Sequence, residues 1–259
     1  MPSLQGRCEV DGSGRAERGL PAGLAAEELV AAMRASEPAA GRAFWALRAW
    51  ARLVWQPTYA GVFAVELSGR VLSLDGLRWE VDVDEADVSG FIVTARGLDD
   101  VRPRVLHQPS PQPLSRFAGE GLAGTRHEGR RRAAAQVRAM SSALLTAVQA
   151  QLPLHPKAAR RLLADCVLSA LLRAQPFTRL ADEQVRDLGA DWLALLDATG
   201  DSDYLAFHTA AGDSRLALDR GVCCLDDRRA GGELCNTCPR LPRAERLRRL
   251  GAQDLRNSA

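Results

Sequence analysis

The chain is 259 residues long, 46% apolar and 25% charged, with a formal net charge of +2. Those proportions describe an ordinary globular protein with a sizeable core, built as one large domain or two small ones. A charge so close to neutral excludes a generally basic surface of the kind that binds nucleic acid without further design. Lys157 is the only lysine and the other basic residues are arginine, an imbalance that biased coding composition accounts for. The first 20 residues hold no apolar stretch of signal-peptide length, and no run of about 18 apolar residues exists to span a bilayer. The expected location is the cytosol, where thiols stay reduced and structural disulfides are rare. A peripheral contact with the inner membrane stays compatible with this composition.

In chain order, residues 1–22 read as a disordered tail, rich in Gly, Arg and Glu and with little to bury. Cys8 within it is read as incidental. Apolar residues recur at helical spacing from Leu24 to Met33 and from Arg42 to Trp55. In the second stretch Phe44, Leu47, Ala51, Val54 and Trp55 form one stripe. Pro57 should end this helix or begin another. Tyr59 to Leu67 is too short an apolar run to separate strand from helix. Arg78, Glu80 and Asp82 alternate with Trp79, Val81 and Val83, the period of a half-buried strand, and Asp75-Gly76 supplies a turn before it. Val88 to Thr94 reads as a second strand with Gly90 as a bulge. Residues 97–129 carry Pro103, Pro109, Pro111 and Pro113 among glycines and polar residues, and are expected to form a surface loop or substrate-facing flap.

A helical block follows. Val137, Met140, Leu144, Val148 and Leu152 make one stripe, and Leu163, Val167, Ala170 and Leu171 another, with Cys166 beside it as a small buried hydrophobe. Thr178 is placed to cap a further helix carrying Val185, Leu188, Trp192 and Leu195, ended by Gly200. Tyr204–His208 and Arg215–Leu218 flank Ala211-Gly212-Asp213 as a hairpin, and a short arginine-rich helix follows Pro242. The fold class is therefore α+β: mostly helical, with a small antiparallel sheet and a cysteine-rich C-terminal segment. Its organisation reads as a tail over 1–22, a mixed domain over 23–218, and a cluster-binding segment over 219–259 packed on that domain.

Four of the six cysteines, Cys223, Cys224, Cys235 and Cys238, fall in a C-C-x10-C-x2-C pattern just after the hairpin. Disulfides fit neither the compartment nor the strained ring that adjacent cysteines would have to close. Zinc suits the C-x2-C half, but structural zinc normally takes two such knuckles with residues between each pair. Vicinal thiols splay apart, and two irons that each need two thiolates tolerate that splay better than one tetrahedral ion does. Arg220, Arg228, Arg229, Arg240 and Arg243 flank the ligands, and Gly221, Gly231 and Gly232 allow close backbone approach. Cations and N–H groups beside an anionic cluster favour its reduced form. None of the four histidines is placed as a ligand; His208, on the hairpin, is nearest.

Cys223-Cys224-Leu225 through Cys235-Asn236-Thr237-Cys238-Pro239, with Leu218-Asp219-Arg220 before and the Gly-Gly-Glu-Leu preceding Cys235, resembles the C-terminal signature of ferric-siderophore reductases of the FhuF type. Trp55-Gln56-Pro57-x-Tyr59 and Gly90-Phe91 are similar to segments of its shorter members. The resemblance implies that Cys223, Cys224, Cys235 and Cys238 bind a [2Fe-2S] cluster as cofactor, and that the chain is a cytoplasmic oxidoreductase whose substrate is a ferric siderophore, from which reduction releases Fe(II). A zinc-stabilised or iron-sensing interaction protein without reductase activity is the alternative. Substrate contacts are sought among Arg102, Arg104, Arg116 and Arg126, with Trp55 and Tyr59 as stacking surfaces or core residues. No flavin- or nucleotide-binding pattern is read in the chain, so an external donor, a ferredoxin or a flavin/NAD(P)H reductase, is expected. No helix-turn-helix with a basic reading helix is found, and nucleic acid is not an expected partner.

Overall fold

The structure, a computed structural model, describes residues 6–9, 19–94, 98–100, 118–209 and 211–257. In chain order these form β1 (Gly6–Glu9), α1 (Ala22–Ser36), α2 (Arg42–Ser68), β2 (Arg70–Leu72), β3 (Arg78–Asp82), β4 (Asp87–Thr94), β5 (Leu98–Asp100), α3 (Ala118–Gln151), α4 (Pro156–Thr178), α5 (Asp182–Leu195), β6 (Asp203–His208), β7 (Ser214–Asp219) and α6 (Arg243–Asn257). No helix among the described residues is long and apolar enough to cross a membrane.

The core is helical, with α2 at its centre between α3 and α4, α1 across one end, and α5 against α3 and α4. The stripes legible in the sequence are its substance. Phe44, Leu47 and Val54 of α2, Val137, Leu144 and Val148 of α3 with Leu152 just past its end, and Leu163, Val167, Ala170 and Leu171 of α4 are all buried, as is Trp192 of α5. Burying one such aliphatic or aromatic side chain stabilises by about 1.5–3 kcal/mol, which holds helices of modest intrinsic propensity in place.

Pro57 neither ends nor begins a helix: α2 runs through it as one element of 27 residues, and Tyr59–Leu67 is its second half. A mid-helix proline leaves the carbonyl four residues earlier without its N–H partner. Here that carbonyl is on Leu53, and the indole N–H of Trp79 donates to it at 2.9 Å. The β3 tryptophan therefore both packs the sheet on the helix and repairs the break. Further along α2 the buried Glu66 carboxylate accepts from Arg130 Nε of α3 at 2.8 Å and from Trp192 Nε1 of α5 at 2.8 Å.

The strands make three small sheets. Two, β2–β5 and β6–β7, are antiparallel, while β4 pairs antiparallel with β3 and parallel with β1. Glu80 faces Gly90 but Val81 faces Val88, so the bulge expected at Gly90 is present as an extra residue at Ser89. The expected tail over 1–22 is narrower in structure: Gly6–Glu9 adds a strand to β4, Leu20 pairs with Trp79, and Ala22 opens α1. The remaining residues of 1–18 lie outside the described set.

Two further expectations change. The supposed flap over 97–129 is helical from Ala118 onward, because no proline falls between Pro113 and Pro153 and the buried stripe further along α3 carries the helix back through its glycines. Residues 101–117 lie outside the described residues. Thr178 does not cap the next helix; it closes α4, its hydroxyl donating to the Gln175 carbonyl, and α5 starts at Asp182.

The hairpin β6–β7 lies where the sequence places it. Tyr204 Oη donates to the Leu168 carbonyl at 3.1 Å, seating β6 on α4. On the other side Leu250 of α6 packs against Leu205 and Ala217. The segment between β7 and α6, which carries the cysteines, is thereby fixed at both ends.

Candidate metal centre

Residues 220–242 form a loop with only a short 3-10 turn at Asp226–Arg228. A loop with so little regular structure is held by specific ties. Glu37, just past α1, accepts from the Ala230 N–H at 3.1 Å and pairs with Arg229 at 3.5 Å. Arg48 of α2 reaches Asp226 at 3.4 Å. Arg161 of α4 donates to the Gly221 carbonyl at 2.9 Å, and Arg249 of α6 to the Leu234 carbonyl at 2.9 Å. Gly221 and Gly232 admit no side chain: a Cβ would stand 2.0 Å from the Asp201 carbonyl oxygen and 2.1 Å from that of Asp226. The close approach expected of these glycines is real, but it is made to backbone rather than to sulfur.

The loop gathers all four thiols of the motif, and none is in a disulfide. Cys238 is fully buried, and Cys223, Cys224 and Cys235 are half-buried. The grouping is two by two. The sulfurs of Cys223 and Cys238 are 3.6 Å apart, and Cys224 and Cys235 lie together in the wall of one cavity. Two thiolates on one tetrahedral metal at about 2.3 Å stand roughly 3.8 Å from each other, so the first pair already has that spacing. Among the described residues no three His, Cys, Asp or Glu side chains gather tightly enough to hold a single metal ion. One zinc needs its donors at one point; a two-iron core needs two donors at each of two points. The donor set fits the second.

N–H groups and cations surround the sulfurs. Leu225 adopts the left-handed conformation (φ 60°), which turns its N–H onto the Cys223 sulfur at 3.3 Å. The Asp226 N–H serves Cys224. Arg220 Nη1 lies 3.7 Å from the Cys235 sulfur, and Arg240 pairs with Asp227 while reaching Cys223. Hydrogen bonding from the Cys235 thiol pulls Cys224 down to about 5 against the cost of burial, and the Arg220 and Arg48 charges help. Burial pushes Cys223 up. Cys224 thus deprotonates before Cys223 and Cys235, the latter being pushed up by its hydrogen bond to Cys224 and by burial.

Arg220 is itself held from behind. Its Nε donates to the buried Asp165 carboxylate of α4 at 2.8 Å, and Ser202 donates to the other carboxylate oxygen at 2.6 Å. Burial opposes the Arg220 charge, but Asp165 and the Cys224 and Cys235 sulfurs outweigh it and keep the guanidinium protonated. Burial in turn pushes the Asp165 carboxyl up, with Arg220 and Ser202 drawing it back. Neither Asp165 nor Ser202 carries any signal in the sequence that links it to cysteines more than 20 residues away.

Residues 220–240 match the family model of the FhuF 2Fe-2S C-terminal domain. The resemblance read from the cysteine signature is therefore borne out for this segment, and the cofactor of such a domain is a [2Fe-2S] cluster. No solved structure matches the chain.

Two cavities flank the thiols. One, of about 680 Å³, lies between α2 and α4 and is floored by Cys224 and Cys235. Arg48, Arg52, Trp55 and Tyr59 enter it from α2 at i, i+4, i+7 and i+11, one helical face, and Asp165, Cys166, Ser169 and Arg173 face them from α4. The other, of about 930 Å³, lies beside Cys223 and is walled mainly by apolar residues such as Leu47, Leu152, Pro153 and Leu225. Trp55 and Tyr59 thus serve as cavity wall and packing together, Tyr59 being anchored to Ser169 Oγ at 2.6 Å. Cys166 is half-buried in the same wall, and burial raises its thiol to about 12. Of the arginines named as candidate substrate contacts, Arg126 is exposed on α3 and lines neither cavity, while Arg102, Arg104 and Arg116 lie outside the described residues. The spacing of Arg48 and Arg52 ahead of Trp55 and Tyr59 was the signal available for this cavity lining.

His208 is exposed at the end of β6, His127 is exposed on α3, and the His155 ring accepts from the Lys157 N–H at the start of α4. His107 lies outside the described residues. The letters Gly119-Glu120-Gly121-Leu122-Ala123-Gly124 do spell G-x-G-x-x-G. They fall within α3 rather than in a turn between strand and helix, so the dinucleotide fingerprint is not formed.

Proposed function

We propose that the protein reduces a ferric chelate of the siderophore type in the cytosol, releasing Fe(II), with Cys223, Cys224, Cys235 and Cys238 as the ligands of its [2Fe-2S] cluster. A cluster of this kind supplies one electron at a time. The observation that carries the reading is the grouping of the thiols, with Cys223 at 3.6 Å from Cys238 and with Cys224 and Cys235 together in the wall of one cavity beside Arg220. Residues 219–259 act as the cluster-binding segment, packed on the domain over 23–218.

The chemistry of the substrate sets what the chain must provide. Hard oxygen chelators hold Fe(III) far more tightly than Fe(II), and each tenfold preference lowers the potential of the bound iron by about 59 mV. A donor able to reduce such a complex belongs near the low end of the iron–sulfur range, where all-thiolate ligation lies and histidine substitution does not. The Leu225 and Asp226 N–H groups and Arg220 then hold the added charge at the sulfurs. The electron is supplied from outside by a ferredoxin or a flavin/NAD(P)H reductase.

Anaerobic purification followed by visible and EPR spectroscopy, iron and sulfide analysis, and capture of released Fe(II) by a ferrous chelator tests the proposal. Brown protein with a paramagnetic reduced state and Fe(II) release supports it. Colourless protein with one zinc per chain overturns it in favour of an interaction module.

A further inference from the structure

A negatively charged chelate cannot approach a thiolate cluster, itself anionic and more so once reduced, unless cations stand between them. The cavity at Cys224 and Cys235 provides that arrangement. Arg48, Arg52, Arg173 and Arg220 line it, and Asp165 is the single carboxylate among the lining residues, already engaged by Arg220 and Ser202. Arg48 and Arg52 lean on Asp226 and Asp87, which lie outside the lining. Each of those pairings leaves further N–H donors on the guanidinium. Burial and the neighbouring Arg48 charge pull the Arg52 guanidinium down, the crowding of like charges that a bound anion relieves. The aromatic wall is set edge to face, Trp55 and Tyr59 rings 5.5 Å apart, with the Arg173 guanidinium 5.8 Å from the Tyr59 centroid. At about 680 Å³ the space is of the size that takes a small organic ligand.

We infer that this cavity is the substrate site and selects net-anionic ferric chelates with oxygen donors, of the catecholate or carboxylate class, over neutral or cationic ones, with Arg48, Arg52 and Arg173 meeting the anionic oxygens. The inference rests on the reductase reading and narrows its substrate. Electron transfer then crosses from the Cys224–Cys235 side, with one electron leaving the reduced cluster, Fe(III) becoming Fe(II), and the chelator oxygens left to take up protons from water.

Binding is measured with redox-inert Ga(III) chelates on the oxidised, cluster-loaded protein, by calorimetry and tryptophan fluorescence. A strongly anionic Ga(III) tris-catecholate should bind at least about tenfold more tightly than a neutral Ga(III) tris-hydroxamate of similar size, and more weakly as salt rises. Arg173→Gln should cost the anionic chelate about tenfold while leaving the neutral one and the visible spectrum unchanged, with Arg173→Lys recovering part of the loss. Equal affinity for the two chelates, or an Arg173→Gln variant that weakens both alike, overturns the inference. If Fe(III) chelates are reduced but affinity ignores charge, the cavity assignment fails and the function stands. If the anionic Ga(III) chelate binds as expected but the reduced protein delivers no electron to its Fe(III) counterpart, the function fails and the cavity stands.

Discussion

The two sides of the cysteine loop are built from opposite materials. At Cys224 and Cys235 the neighbouring cavity carries four arginines and two aromatic rings; at Cys223 the neighbouring cavity is walled by leucine, proline and alanine. The same adjacent pair of cysteines thus faces charge on one side and hydrocarbon on the other. A splayed Cys-Cys step is what allows this, because successive side chains of an extended segment point opposite ways. The loop thus presents the cysteines to two environments, and of these only the charged one would suit the anionic chelate proposed above.

The largest expected effect comes from the sulfurs. Cys224→Ser and Cys238→Ser should each reduce bound iron and visible absorbance to under about a tenth, since under the proposed ligand set each removes one of two donors at one iron. If Cys238→Ser, from the fully buried position, loaded normally, the two-by-two arrangement would be wrong. Almost as large is Gly232→Ala, whose Cβ would meet the Asp226 carbonyl oxygen at 2.1 Å. It should shift the turn that follows Cys224 and lower iron occupancy severalfold, seen by metal analysis, while circular dichroism keeps its helical signal.

Next is the support behind the charged side. Arg220→Gln leaves the buried Asp165 carboxylate without its cation, a loss of about 3–5 kcal/mol. Burial already pushes the Asp165 pKa up, and without Arg220 it should rise further. A carboxyl whose folded pKa lies above its unfolded value has its stabilising effect below the unfolded pKa and loses it as pH rises through the folded one. The variant should therefore be least stable, relative to wild type, at neutral and alkaline pH and recover towards acid, measured as Tm against pH. Asp165→Asn in the same chain should restore much of the loss. Glu66→Ala, at the far end of α2, leaves Trp192 Nε1 without its acceptor and Arg130 with only the exposed Asp191 at 3.8 Å, and should cost about 3 kcal/mol, yet leave the cluster spectrum unchanged. Stability and cofactor loading would then separate by region.

How far these regions could be read from sequence differs for physical reasons. The helical stripes and the strand from Arg78 to Asp82 were legible because burial repeats at the period of each element, and the cysteine signature because four thiols have few uses. The hairpin and the Gly90 bulge were legible through turn residues. Pro57 misled because a proline forbids a helix only where its freed carbonyl finds no donor; Trp79, 22 residues later, supplies one at Leu53. Glu66, Asp165 and Ser202 were invisible as partners because polar burial is decided by contacts between distant elements, which no local period encodes. Arg48 and Arg52 share one helical face with Trp55 and Tyr59, but sequence alone does not tell whether that face meets solvent or a cavity.

The smallest expected effect is the sharpest on the contrast between the two sides. Ala43 is exposed, lines the apolar cavity and sits in the first turn of α2. A carboxylate there is favoured by the helix N-terminus by a few tenths of a kcal/mol to about 1 kcal/mol, so Ala43→Asp should fold normally. It places a negative charge on the Cys223 side and none in the cationic cavity. Affinity for an anionic Ga(III) chelate should then change by less than about twofold, against the tenfold expected for Arg173→Gln. Were Ala43→Asp to weaken the chelate as much as Arg173→Gln does, the anion would be seated beside Cys223, and the arginines across the loop would serve the fold alone.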